Sequence, residues 1–87
     1  MAMAMEAPIR ILVADDHPVV ADGLAAMIER QPDMTYVATA TTGLQAGDLF
    51  QAHRPDVTLM DLRMPGMSGL DAIIAIRKEV ADARILV

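Results

Sequence analysis

Three carboxylates stand just past short apolar runs. Asp15 and Asp16 follow IRILVA at residues 9–14, and Asp61 follows VTLM at residues 57–60. An acid standing alone after a strand reads as a turn residue or a helix cap. An adjacent pair after one run and a further acid after another is harder to account for in that way. If the two runs are neighbouring strands, the three carboxylates converge at one rim of a sheet. There they repel one another unless a hard cation neutralises them, and an all-oxygen donor set suits Mg²⁺ or Mn²⁺. Magnesium in turn holds phosphoryl oxygens, and a carboxylate can itself accept a phosphoryl group. The stretch RMPGMSG at residues 63–69 is rich in turn formers, and Gly66 and Gly69 allow it to bend sharply beside Asp61. On spacing alone, a metal-binding acid cluster and a set of ordinary turn and cap residues both remain open.

The elements that must position these acids alternate in kind. Residues 9–14 read as a buried strand. Pro18 suits the first turn of a helix with an acid or His17 near its cap, and Val20, Leu24, Met27 and Ile28 form an apolar helical stripe. Gln31-Pro32-Asp33 ends that helix. Residues 35–39 (TYVAT) read as a second strand, and Thr41 or Thr42 can cap a helix over residues 43–52 with Leu44, Ala46, Leu49 and Phe50 inward. Residues 57–60 form a third strand. Ser68-Gly69-Leu70-Asp71 matches a capping pattern for a third helix, lined by Leu70, Ile73, Ile74 and Val80. Residues 84–87 begin a fourth strand. The order β-α-β-α-β-α-β implies right-handed crossovers and a parallel sheet with flanking helices, in which ligands bind beyond the carboxyl ends of the strands.

Composition narrows the partners. The chain has 87 residues, 7 basic against 12 acidic, and a net charge of −5, so it lacks the footprint of a nucleic-acid or anionic-membrane binder. Apolar residues make up 54%, enough to exclude a disordered chain, while the length fits one small domain. There is no cysteine, hence no disulfide and no thiolate metal site. No run reaches the roughly 18 apolar residues that a membrane span needs. Residues 1–8 (MAMAMEAP) lack a cationic start and a long apolar run, and read as a tail rather than a secretory signal. These absences point to the cytoplasm.

The runs LVADDHPVVADGL and DVTLMDLRMPGMSGLDAI together resemble a two-component response-regulator receiver domain, and the DDHP form followed by Ala-Asp-Gly-Leu resembles the NarL/LuxR subfamily. The resemblance covers residues 9–87, the N-terminal part of such a domain, and implies the flavodoxin-like α/β fold. It implies that Asp61 is the phosphoacceptor, fed by a sensor histidine kinase. Asp16 would bind Mg²⁺ directly, Asp15 through water, and the backbone carbonyl of Arg63 would complete the protein ligands of a site shared with Asp61. Pro65 and Gly69 would shape the loop. Such a module is a phosphorelay switch rather than a turnover enzyme, and normally controls a transcription-factor output domain, which has no counterpart in this sequence.

The family's fold has five β-α units in strand order 2-1-3-4-5, and this sequence carries three and the start of a fourth strand. The Ser or Thr ending the family's fourth strand and the Lys ending its fifth have no matching position. Weak, short-lived phosphorylation is therefore expected, and an apolar fourth-strand edge that pairs with a second copy as a homodimer or higher oligomer. A different class of function, a dimerisation or scaffold remnant without phospho-switching, is the alternative. A dehalogenase-type phosphohydrolase would want an Asp where Arg63 stands, and a flavin site would not place Asp15 and Asp16 against phosphate. His17 and His53 read as helix-start and turn residues. Met64 and Met67 are candidate kinase contacts, and Arg63 with Arg77 reads as a solvated face.

Overall fold

A computed structural model describes residues 7–87. The elements run β1 (Ile9–Ala14), α1 (Pro18–Glu29), β2 (Met34–Ala40), α2 (Gly43–His53), β3 (Val57–Met60), α3 (Gly69–Glu79) and β4 (Ile85–Leu86). The strands form one parallel sheet in the order β2-β1-β3-β4. The expected order of elements and the parallel sheet hold. Of the expected tail, only Ala7 and Pro8 fall within the described residues, and both are exposed and irregular. Two expected strands change length: β2 gains Met34 and Ala40, and β4 is confined to Ile85 and Leu86.

β1 lies inside the sheet, so both of its faces are covered. Leu12 and Ala14 point with Met60 into a core shared with α2 and α3, whereas Ile11 and Val13 meet Ala21 and Ile28 of α1 on the opposite face. This explains why β1 is a continuous apolar run rather than an alternating one. The starts of α2 and α3 have side-chain caps, Thr42 rather than Thr41 in the first and Ser68 in the second. Thr42 Oγ1 accepts from Gln45 N at 3.1 Å, and Ser68 Oγ accepts from Asp71 N at 3.2 Å. At the opposite end of the sheet, Arg10 donates to the carbonyls of His53 and Arg54 at 2.7 and 3.1 Å, tying the end of α2 to β1.

The helix faces match the expected stripes in part: Leu24, Ile28, Ala46, Leu49, Phe50, Ile73 and Val80 pack inward, and other expected positions do not. In α1, Ala21 and Ile28 are buried, while Val20 and Met27 are exposed. In α2, Ala46 and Phe50 are buried and Leu44 is exposed; in α3, Ala72 and Ile76 are buried and Leu70 and Ile74 are exposed. The common reason is close approach. Each helix sets an alanine against the sheet or its neighbour, because a small side chain lets backbones come near and leaves contacts of normal density. Periodicity weighted toward large residues misses such a face by about one position.

Thr58 is fully buried at the centre of β3, and its hydroxyl finds no hydrogen-bond partner. An orphaned hydroxyl costs about 1–3 kcal/mol, and valine has nearly the same shape without it. Thr58→Val is therefore expected to stabilise the chain by about 1 kcal/mol, raising Tm by roughly 4–8 °C. A thermal melt that shifts downward would show that the hydroxyl is satisfied in solution.

Candidate functional site

The strand order decides the site. Because β1 and β3 are paired neighbours, their ends lie side by side, and Asp61 N donates to the Ala14 carbonyl at 2.8 Å. On the other side of β1, Asp15 N donates to the Ala40 carbonyl at 2.9 Å. The ladder thus continues one residue past the strands and holds both acids at the carboxyl rim. Each acid then closes a tight turn with its own side chain. Asp15 Oδ1 accepts from His17 N at 2.8 Å, and Asp61 Oδ1 accepts from Arg63 N at 3.0 Å.

Asp15, Asp16 and Asp61 come together, with one ligand atom each, and one from His17, all within 4.8 Å of one another. The carboxylates are mostly shielded, with side chains 14%, 30% and 25% exposed. Like charges this close interact strongly: at 4 Å and an effective dielectric of 20, two unit charges repel by about 4 kcal/mol.

His17 reads from the sequence as a helix-start residue, and the structure also turns it onto the acids. It does occupy the N-cap position of α1, but its side chain makes no cap hydrogen bond. Instead Nδ1 donates to Asp15 Oδ1 at 2.8 Å and lies 3.2 Å from Asp16 Oδ1 and 3.7 Å from Asp61 Oδ2. The bond to Asp15, then the charges of Asp16, Asp15 and Asp61, raise the histidine pKa above its ordinary value. The linkage sign follows: protonated His17 favours the fold below the ordinary histidine range, and that contribution fades as pH rises through the raised value. The signal in the sequence was its place directly after the acid pair, within the turn that Asp15 closes.

Asp16 supplies a test of whether a cation fits. Its Oδ1 is buried and accepts no hydrogen bond, the nearby imidazole having committed Nδ1 to Asp15. A buried carboxylate oxygen without a donor is costly, and it sits among other carboxylate oxygens. The donor set is that of a hard divalent cation.

The loop between β3 and α3 is closely backed. Gly69 N donates to the Leu62 carbonyl at 3.1 Å, and a Cβ on Gly69 would overlap the Asp61 carbonyl oxygen and lie 2.6 Å from Leu62 Cα. Met64 corrects an expectation: it is buried, 7% exposed, and anchors the loop in the core instead of facing a partner, while Met67 remains at the surface. Arg77 is not aimed at the acids either; its guanidinium donates to the Ala83 carbonyl at 3.2 Å, closing the turn after α3. His53, expected in the turn after α2, is the last residue of that helix and is not among the clustered acids.

The sequence matches the family described as the response regulator receiver domain over residues 11–87. It is similar to the nitrate/nitrite response regulator protein NarL of Escherichia coli K12, 39% identical over 98% of this chain and 39% of that protein. It is also similar to the transcriptional regulatory protein LiaR of Bacillus subtilis, 44% identical over 91% of this chain and 37% of that one. Among solved structures, the signal receiver domain of the putative NarL of Mycobacterium tuberculosis superposes with a TM-score of 0.86 at 35% identity, over 92% of this chain and 64% of that one. The chain thus spans about two fifths of the length of the curated relatives it matches.

Proposed function

We propose, from the premise that this chain belongs to the response regulator receiver domain family and is NarL/LuxR-like, that it accepts a phosphoryl group on Asp61 in a Mg²⁺-dependent transfer from a histidine kinase. The observation that carries this reading is the meeting of Asp15, Asp16 and Asp61 at one rim of the sheet. Asp16 and Asp61 would hold the cation directly, Asp15 through water, with the Arg63 carbonyl as the remaining protein ligand. Bound there, Mg²⁺ (or Mn²⁺) supplies positive charge for the phosphoryl oxygens.

The chain's own residues do the rest. Arg63 N fixes one oxygen of Asp61, leaving Oδ2 without a hydrogen bond among the described residues and facing the cluster. A carboxylate oxygen of Asp61 forms a bond to phosphorus as the phosphorus–nitrogen bond of the donor phosphohistidine breaks. The departing imidazole takes up a proton from solvent. The shielding of the acids limits the water that would compete. The chain ends this step as an acyl phosphate, a signalling state rather than a released product, so its role is a switch and not a turnover enzyme. A DNA-binding output, a kinase partner and a cytoplasmic setting belong to this reading, and no helix among the described residues is long and apolar enough to cross a membrane.

The test uses the chain with Mg²⁺ and a small phosphodonor such as acetyl phosphate. Intact-mass measurement is expected to find a fraction carrying one phosphoryl group, dependent on Mg²⁺. A folded chain that gains no mass sinks the proposal. Pairing of two copies is a further part of it, on the observation that β4 is an edge strand among the described residues, with Leu86 and Val87 exposed. Light scattering at micromolar concentration is expected to give at least twice the chain mass, and a monomer removes that part.

A further inference from the structure

We propose that Gly43, at the start of α2, is a positioning residue for the loop that carries Asp61, an inference that rests on the phosphoacceptor reading above. Gly43 is the first helical residue after the Thr42 cap, so its N–H has no acceptor inside the helix. It donates instead to the Met67 carbonyl at 3.2 Å, 24 residues further along the chain (67 − 43). The approach is possible only without a side chain. A Cβ on Gly43 would overlap the Met67 carbonyl oxygen and lie 2.7 Å from its carbonyl carbon and 2.9 Å from its Cβ.

The loop from Asp61 to Ser68 has few other supports. Arg63 N is tied to Asp61, Gly69 N to Leu62, and Met64 is sunk in the core. Between Met64 and Ser68 the one backbone hydrogen bond to another element, among the described residues, is the one at Met67. Gly66 there has φ +74, a conformation that glycine adopts without strain, and its lack of a Cβ gives the loop no side-chain anchor at that point. The wall formed by α2 therefore sets the far half of the loop, and through Pro65 and Met64 it sets the backbone at Arg63. α2 carries none of the acids, yet its first residue determines where the loop beside them can lie.

The experiment is a Mg²⁺ titration followed by amide NMR on the whole chain, in wild type, Gly43→Ala and Gly47→Ala. Gly47 is in the same helix, and a Cβ there meets nothing within 4 Å. Gly43→Ala is expected to move the Arg63 and Met67 amide resonances before any Mg²⁺ is added, and to weaken Mg²⁺ binding about 10–100-fold, as loss of outer-shell support does. Gly47→Ala is expected to do neither. A folded Gly43→Ala with wild-type loop resonances and wild-type affinity overturns the inference. If Gly43→Ala does not fold, hydrogen exchange of the wild type decides. The Gly43 amide must then be protected well beyond that of exposed Leu44, and equal exchange overturns the inference. Failure of the wild type to bind Mg²⁺ sinks the phosphoacceptor reading instead, and the Mg²⁺-free loop resonances still decide the role of Gly43.

Discussion

Asp61→Asn is expected to abolish phosphoryl uptake while the fold survives. Asparagine has the shape of aspartate and keeps an oxygen that can accept from Arg63 N, so the turn now held at 3.0 Å persists. What is lost is the anionic oxygen. An amide oxygen is a far poorer nucleophile toward phosphorus. The uptake of one phosphoryl group seen by intact mass should fall to the background of the unfolded chain. Thermal melts of variant and wild type should remain similarly cooperative. Persisting uptake in the variant would place the acceptor elsewhere, with Asp15 and Asp16 the first to be tested.

Asp16→Asn should move stability and cation binding in opposite directions. Asp16 shares its surroundings with two other carboxylates, and its buried Oδ1 has no donor. Changing it to asparagine removes a like charge and supplies an amide that can donate to a neighbouring carboxylate. From a pairwise repulsion of about 4 kcal/mol at close range, reduced by salt and by His17, a net gain of about 1–2 kcal/mol remains, or several degrees in Tm. The gain should grow as pH rises past the titration of His17, because the protonated imidazole partly cancels the acids below it. On the proposed reading the same change removes a direct ligand, so Mg²⁺ affinity should fall by about tenfold or more. Calorimetric titration and melts with and without Mg²⁺ separate the two effects. A variant less stable without Mg²⁺ would mean that Asp16 is held by attraction to His17 rather than opposed by its neighbours. The strain expected here is of the kind functional sites commonly carry at the expense of stability.

Much of the scaffold was legible because it depends on local pattern. Ser68 and Thr42 were recognisable as caps, since a cap bonds within three residues of itself. The continuous apolar character of β1 marked a strand covered on both faces. The three acids were legible as candidates because they stand just past the ends of apolar runs. The faces of the helices were legible in part: Ile28, Ala46 and Phe50 are buried as expected, whereas Leu70 and Ile74 outweigh Ala72 in hydropathy, yet the alanine is the buried residue. Burial at a close approach depends on the size of the gap between two backbones, a quantity that no single segment encodes.

By itself the sequence determined the succession of strands and helices, the acids at the strand ends and, through its resemblance, the family. Only the tertiary structure decided that Asp61 stands beside Asp15 and Asp16, that His17 turns back onto all three, and that Gly43 abuts the loop of Asp61. The reason is one of range. Capping and periodicity act over a few residues and leave their mark in composition. The pairing of β1 with β3 joins residues 46 apart (61 − 15), and the contact at Gly43 exists because an atom is missing there. A missing side chain has no hydropathy to read, and its meaning appears only when the other backbone is in place.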